Sequence, residues 1–157
     1  MILCAHADAG FLNESNARSR AGAHIFLSEN DPFPRFNGAV LSIAQIIKFV
    51  MASAGETEAA SSYLNCKAAL PLRIALEEMG HPQNKKPVIV DNTSTQGLIT
   101  NKMAPKRSKT YDLRVNWLKC RDAQKQFNLI WAPRPGNKGD YHTKTHPVHE
   151  YKHKRKV

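Results

Sequence analysis

The chain has 157 residues, of which 41% are hydrophobic, and this suits one domain with a real core. The longest apolar stretch, residues 38–55, contains Gln45 and Lys48, which excludes a membrane span of roughly 20 apolar residues. Three widely spaced cysteines exclude a disulfide framework, and a net charge of +10 predicts a polyanionic partner, most commonly nucleic acid.

The N-terminal third predicts three antiparallel strands. An apolar strand begins the chain and ends near Asp8, and the alternating residues 21–28 predict a second strand. The polar residues 14–20 predict the loop between them. Two prolines and a glycine within 29–38 mark a turn, and residues 39–47 predict a third strand. Together they predict a meander.

The middle of the chain predicts helices around one central strand. Residues 56–70 are rich in Ala and Leu, and Pro71 is predicted to break this helix before a second helical piece that ends at Gly80. The apolar run 87–90 predicts a buried fourth strand that stops at Asp91.

The last third predicts a short helix or loop at residues 94–102, a helix within 108–126 and a fifth strand at 127–133. A final helix is predicted from residue 136. The order implies an α/β fold, a mixed sheet with helices packed on it. We expect one domain over residues 1–146 and a basic, disordered tail over 147–157.

Acidic residues stand at the ends of these elements. If the first and fourth strands are parallel neighbours, Asp8 and Asp91 emerge at one edge of the sheet, where open α/β sheets place their sites. Asp140 precedes the last helix, and Glu56 and Glu58 open the first. Each acid alone favours a helix cap, a turn or a surface charge. Taken together, in a basic chain, the acids support a shared cation site as strongly as they support scattered caps and surface charges.

Several carboxylates aimed at one point repel one another unless a cation lies between them. Oxygen ligands suit hard ions such as Mg²⁺ or Mn²⁺. Two such ions about 4 Å apart can hold the attacking water and the leaving oxygen of a phosphodiester. Residues two apart on a helix lie about 200° apart, so only one of Glu56 and Glu58 can face such a site.

Five motifs occur in order along residues 3–145: "HADAGF", "SAGETEAASSYLNCKAA", "VIVDN", "KRSKTYDLR" and "IWAPRPGNKGDYHTK". They resemble the motifs of the ribonuclease H domain of copia-type LTR retrotransposon polyproteins. The resemblance implies an RNase H-like fold, with a five-stranded mixed sheet whose first three strands are antiparallel and which is flanked by helices. This agrees with the elements predicted independently above.

The resemblance also implies an activity, which is hydrolysis of the RNA strand of an RNA–DNA hybrid with two Mg²⁺ ions, for which Mn²⁺ can substitute. The catalytic and metal-binding acids that it implies are Asp8, Glu58, Asp91 and Asp140. Glu58 is favoured over Glu56 because Glu58-Ala-Ala-Ser matches the family's spacing. Family analogy adds the reverse transcriptase domain of the same polyprotein as a partner, and an intracellular location in cytoplasmic virus-like particles or the nucleus.

The sequence departs from the family at several positions. Gly10 follows the "D-A" pair, and Gly55 and Thr57 change the usual start of the first helix. The loop before Asp140 lacks the His that many cellular RNases H carry there, and His142 is predicted to point elsewhere. The reverse transcriptase that precedes this domain in the family lies outside the chain, which suggests a fragment, a relic or a trimmed form.

Contacts with nucleic acid are expected mainly at phosphates, without reading of the sequence. The predicted phosphate ligands are Arg18, Arg20, Lys106, Arg107 and Lys109. Asn92 and Ser94 are candidates for binding the RNA 2′-hydroxyl group. A solvated basic face is the alternative interpretation.

Other side chains are assigned structural roles or none. We expect Trp117, Phe127 and Trp131 to be core residues, and the tail histidines to form no zinc site, because no fourth ligand is nearby.

Two functional hypotheses remain besides the hybrid-cleaving enzyme. One is a catalytically inactive, retroelement-derived relic that still binds nucleic acid. The other is an enzyme of the same fold that acts on DNA, such as an integrase or a resolvase, against which the order of the motifs argues.

Overall fold

The structure, a computed structural model, describes residues 1–31, 34–99, 109–132 and 136–154. Its strands are β1 (Ile2–Glu14), β2 (Arg18–Ser28), β3 (Ala39–Ile47), β4 (Lys86–Val90) and β5 (Phe127–Trp131). Its α-helices are α1 (Ala54–Glu78), α2 (Thr93–Ile99), α3 (Lys109–Ala123), α4 (Asp140–Thr143) and α5 (Val148–Lys154).

The strands form one five-stranded sheet in the order β3-β2-β1-β4-β5. β1 pairs antiparallel with β2, and β2 with β3, whereas β4 lies parallel to both β1 and β5. The predicted mixed sheet with three antiparallel strands is therefore confirmed.

The main core lies where α1 crosses this sheet. α1 contributes small or medium side chains because it packs close to the strands, and β4 is buried along its whole length, as a central parallel strand requires. The buried residues of this core include Ala5, Ala23, Ile25, Cys66, Ala69, Leu76, Val88, Val90, Leu118, Phe127 and Leu129.

α1 is continuous, so the predicted break at Pro71 is wrong. Pro71 removes one backbone donor, which normally costs a helix interior about 3 kcal/mol or more. Ala69 and Leu76, on either side of it, are both buried in the core, which anchors the helix before and after the proline. Tertiary packing thus overrides the local penalty.

The first hairpin is longer than predicted. β1 continues past Asp8 to Glu14 with an irregularity after Gly10, so Arg18 and Arg20 lie on β2 rather than in a loop. At the other end of the chain, residues 148–154 form α5 within the segment for which composition predicted disorder. The Tyr151 hydroxyl group accepts a hydrogen bond of 3.2 Å from the His146 backbone N–H and ties this helix to the domain.

Of the three aromatic residues predicted to lie in the core, two do so. Phe127 is buried, and Trp117 packs edge-on against Tyr63 at the margin of the core. Trp131 is 43% exposed, so the prediction is wrong for it. Within the described ranges, no helix has both the length and the apolar character needed to cross a membrane.

Candidate metal centre

Asp8 and Asp91 meet because β1 and β4 are parallel neighbours. His6 pairs with Ile89 in this ladder, and each acid lies two residues further along the chain, Asp8 within β1 and Asp91 directly after β4, at the carboxyl edge of the sheet. Glu58 reaches the same edge from the start of α1. One carboxylate oxygen from each of these three acids lies within 4.8 Å of the others.

The neighbouring Glu56 caps the start of α1 and is not part of the cluster. Ser53 is the N-cap residue, and its hydroxyl oxygen accepts a hydrogen bond of 3.2 Å from the Glu56 backbone N–H. The Glu56 carboxylate in turn accepts one of 2.9 Å from the Ala52 backbone N–H. This arrangement resembles a capping box and directs Glu56 away from Asp8. Glu58, which is only 6% exposed, is the glutamate in the cluster.

Asp140 lies beside the three-acid cluster rather than within it. It is buried at the start of α4, and its Oδ1 accepts a hydrogen bond from the Lys144 ammonium group. The Lys144 Nζ is also 3.9 Å from the Asp8 Oδ2. On the other side, the His146 Nε2 is 3.6 Å from the Asp140 Oδ2. The fourth predicted acid is thus connected to Asp8 through Lys144.

Two glycines allow α4 to lie directly against the sheet. A Cβ at Gly139 would lie 2.8 Å from the Asp8 backbone nitrogen, and one at Gly22 would lie 2.5 Å from the Thr143 Cγ2. This close approach lets the Thr143 hydroxyl group donate a hydrogen bond to the Asp8 Oδ2. The Asn137 side chain also donates one of 2.7 Å to the Ala7 carbonyl oxygen.

Burial dominates the electrostatics of the cluster. It raises the pKa of Asp8, against the lowering effects of the Thr143 hydrogen bond and the Lys144 charge. Burial, with the charges of Asp8 and Asp91, raises the pKa of Glu58 from 4.5 to about 9. Carboxyl groups kept this close in a dry site resist losing their protons unless a positive charge is near.

Two of these buried carboxyl oxygens lack donors. Neither the Asp8 Oδ1 nor the Glu58 Oε2 receives a hydrogen bond from any part of the chain that the structure describes. Buried acceptors without donors are uncommon in proteins and are explained where a cation binds them. Three carboxylates around one point form the ligand set that Mg²⁺ or Mn²⁺ prefers. The residues therefore fit a hard divalent ion.

A cleft of about 590 Å³ opens beside the cluster. Its walls include Phe11, Asn13, Glu58, Asp91, Asn92 and Lys144. Asn92 also accepts a hydrogen bond of 3.4 Å from the Thr95 backbone N–H, so it caps the first turn of α2 while it faces the cleft. Asn92 therefore combines a helix-capping role with a place on the wall of the cleft.

No family model matches the chain, and no curated protein matches it. Solved structures do match. The N-terminal RNase H domain of a Mycobacterium tuberculosis protein is 16% identical, with a TM-score of 0.62 over 91% of this chain and 96% of that one. RNase H1 from Halobacterium salinarum is 13% identical, with a TM-score of 0.59 over 91% and 95%.

A third match is LC11-RNase H1, isolated from compost by a metagenomic approach and solved in complex with an RNA/DNA hybrid. In that complex it is 11% identical to this chain, with a TM-score of 0.64 over 90% of this chain and 93% of that one. The chain has the RNase H-like fold. At these identities the likeness concerns the fold alone.

The structure describes the side chains of only some of the residues predicted to contact nucleic acid. Arg18 is exposed at the start of β2, whereas Arg20 forms an ion pair of 2.5 Å with Glu14, which offsets its charge. Lys106 and Arg107 lie outside the described residues. Ser94 and Lys109 belong to α2 and α3, but their side chains also lie outside what the structure describes.

Sequence reasoning missed the three residues around Asp140 that complete the site. Thr143, Lys144 and His146 contact Asp8 or Asp140. A signal was present, because Lys144 follows Asp140 by four residues, a spacing that brings opposite charges together across one helical turn.

Proposed function

We propose that the protein is a divalent-metal-dependent ribonuclease H that hydrolyses the RNA strand of RNA–DNA hybrids. The observation that carries this proposal is the cluster of Asp8, Glu58 and Asp91 at the carboxyl edge of β1 and β4, with two buried oxygens that lack donors. A metal-dependent phosphodiester hydrolase uses such a site to concentrate positive charge where a phosphate reacts.

Each acid has a distinct role in this proposal. Asp8, at the centre, would be shared between two metal positions, with Glu58 and Asp91 completing one and Asp140 the other. When bound, the ions supply an activated water and stabilise the charge that develops on the phosphate. The chain itself excludes water behind the site, because Asp8 is fully buried and the Thr143 hydroxyl group fixes the orientation of its carboxylate.

An RNA–DNA hybrid is the proposed substrate for three reasons. The net charge of +10 favours a polyanion, the cleft beside the acids is open, and a protein of the same fold was solved with an RNA/DNA hybrid. Asn92 lies on the cleft wall, where it would contact the RNA 2′-hydroxyl group together with Ser94. Arg18, Lys106, Arg107 and Lys109 are proposed to bind phosphates.

The origin that we propose is a copia-type retrotransposon polyprotein, in which this domain would act with a reverse transcriptase inside virus-like particles or the nucleus. The support is the order of the five sequence motifs along residues 3–145. A catalytically inactive relic that only binds hybrids is the competing hypothesis.

One assay separates the two. The protein, Asp91→Asn and the control Asp122→Asn, which removes a surface partner of Lys85, are incubated with Mg²⁺ and a hybrid labelled on its RNA strand. We expect cleavage by the wild type and the control, and a loss of at least about 100-fold in Asp91→Asn. Binding without cleavage by the wild type would favour the relic. Full cleavage by Asp91→Asn would refute the site.

A further inference from the structure

Lys144 lies between two of the four acids. Its Nζ donates a hydrogen bond to the Asp140 Oδ1 and is 3.9 Å from the Asp8 Oδ2. We infer that Lys144 is a tethered cation, which offsets part of the negative charge of the Asp8–Asp140 pair in the metal-free protein and must move away before a second divalent ion can bind between them. The inference rests on the proposed metal centre and adds an internal competitor for one of its two positions.

The two oxygens of Asp8 have different surroundings, which separates the two metal positions. Oδ1 receives no hydrogen bond from the described parts of the chain, whereas Oδ2 receives one from Thr143 and faces Lys144. An ion held by Asp8, Glu58 and Asp91 would bind the Asp8 Oδ1, which has no hydrogen-bond donor among the described residues. An ion between Asp8 and Asp140 meets an ammonium group that is already hydrogen-bonded to Asp140 and ion-paired with Asp8.

Charge argues for competition rather than co-operation at the second position. A divalent ion between Asp8 and Asp140 would lie within a few ångströms of the present Nζ, and two cations at that distance repel each other strongly in a partly buried site. The Lys144 charge also acts beyond its two direct partners, since it lowers the pKa of Glu58 as well as that of Asp8. Lys144 is therefore part of the charge balance of the whole cluster.

Lys144 is free to move in a way that the acids are not. Its side chain is 32% exposed and borders the cleft, whereas the Asp8 side chain is 1% exposed. A four-carbon stem with a compact ammonium group can swing into the cleft at the loss of its ion pairs with Asp140 and Asp8, in which the lysine side chain is partly exposed. The Lys144 ammonium group thus lies at the second metal position, and the adjacent cleft gives its side chain space to move away.

Calorimetric titration with Mn²⁺, without nucleic acid, tests the inference. We expect the wild type to bind one ion tightly and a second weakly, and Lys144→Met to bind the second at least about tenfold more tightly. Lys144→Arg and Lys67→Met, a change at an exposed lysine of α1, should keep the wild-type isotherm. Adding Asp140→Asn to Lys144→Met should abolish the second binding event.

Thermal unfolding gives a second readout. In EDTA, Lys144→Met should unfold at a lower temperature than the wild type, because Asp8 and Asp140 lose their shared cation, and Mn²⁺ should raise its midpoint more than it raises that of the wild type. If Lys144→Met does not fold, Lys144→Gln, which keeps a donor but not the charge, takes its place. An unchanged second affinity, or a weaker one, would overturn the inference.

A cleavage assay with the hybrid distinguishes failure of the Lys144 inference from failure of the proposed function. If the wild type cleaves and binds Mn²⁺ but neither neutral variant changes the second affinity, only the role of Lys144 is refuted. If the wild type neither binds Mn²⁺ nor cleaves, the proposed function and the inference are both refuted.

Discussion

The Ser61 hydroxyl group of α1 donates a hydrogen bond of 2.6 Å to the backbone carbonyl oxygen of Asp8. Both residues are fully buried, so this bond fixes α1 against β1 at the point where Asp8 enters the cluster. Ser61 lies about one helical turn after Glu58, so the bond joins α1 to β1 close to the point where Glu58 meets Asp8.

Ser61→Ala should therefore lower the free energy of unfolding by about 1–3 kcal/mol, because it leaves the buried Asp8 carbonyl without this donor. Ser62→Ala is a matched control, since the Ser62 hydroxyl group is also buried but has no hydrogen-bond partner among the described residues. We expect Ser62→Ala to change stability by less than about 0.5 kcal/mol or to increase it. Urea unfolding measures both, and equal losses would contradict the assigned role.

Glu58 makes stability depend on pH when no metal is bound. Its pKa is raised from 4.5 to about 9, so between these values the folded protein holds a proton that the unfolded chain releases. In EDTA the free energy of unfolding should fall as pH rises through this range, by up to about 1.4 kcal/mol per pH unit. Glu58→Gln should remove the Glu58 share of this slope. What remains is the part that Asp8 contributes in the same direction and, below pH 6.5, an opposite part from His6, whose pKa burial lowers to about 4.

Glu56→Gln is the control for that experiment, because Glu56 accepts a hydrogen bond from the Ala52 backbone N–H and lies outside the cluster. It should keep the wild-type slope. Chemical unfolding in EDTA from pH 5 to pH 9 measures all three proteins. A slope that persists in Glu58→Gln but disappears in Glu56→Gln would show that the wrong glutamate has been placed in the cluster.

Trp131 is proposed to hold the end of β4 in place. Its indole N–H donates a hydrogen bond of 3.1 Å to the Asp91 backbone carbonyl oxygen, and the Ala132 backbone N–H bonds to Val90 beside it. Trp131→Phe keeps the ring but loses the donor, so we expect Mn²⁺ affinity to fall by about threefold or more. Trp117→Phe, at the margin of the core, should leave the affinity unchanged in the same titration, and equal affinity in both would refute the positioning role.

Much of this arrangement follows from the pattern of the sequence. Alternation and turn residues predicted β3 at its observed bounds, and the apolar run before Asp91 predicted β4. A helix that connects β3 to β4 favours a parallel orientation of these two strands. Because β1 runs in the same direction as β3 in the meander, β4 is then also parallel to β1. Local pattern failed at Pro71, where burial on both sides of the proline keeps α1 continuous. Packing is a non-local effect that a window of neighbouring residues does not contain.

The contacts around Asp140 could not be predicted in the same way. They depend on α4 lying against β1 and β2, more than 100 residues away along the chain. Only the spacing from Asp140 to Lys144 was visible locally. The capping role of Glu56, in contrast, was readable from Ser53-Ala-Gly-Glu56, which fits the capping-box pattern and leaves Glu58 as the glutamate available to the site.

Gly139 allows α4, which carries Asp140 and Thr143, to pack against β1. A Cβ there would lie 2.8 Å from the Asp8 backbone nitrogen and 2.9 Å from the Ala7 carbonyl carbon, both part of a central strand that cannot yield. Gly139→Ala should therefore push α4 away from β1 and lower the free energy of unfolding by about 1–3 kcal/mol. Since α4 carries Asp140 and Thr143, Mn²⁺ affinity should fall as well.

Gly136→Ala is the matched control, because, apart from its chain neighbours, no described residue has an atom within 4 Å of a Cβ built at Gly136. It should keep Mn²⁺ affinity and keep or slightly raise stability, since alanine restricts the unfolded chain more than glycine does. Urea unfolding and calorimetry separate the two variants. If Gly139→Ala matched Gly136→Ala in both measurements, contact between α4 and the Asp8 backbone would not be what places Asp140 beside the cluster.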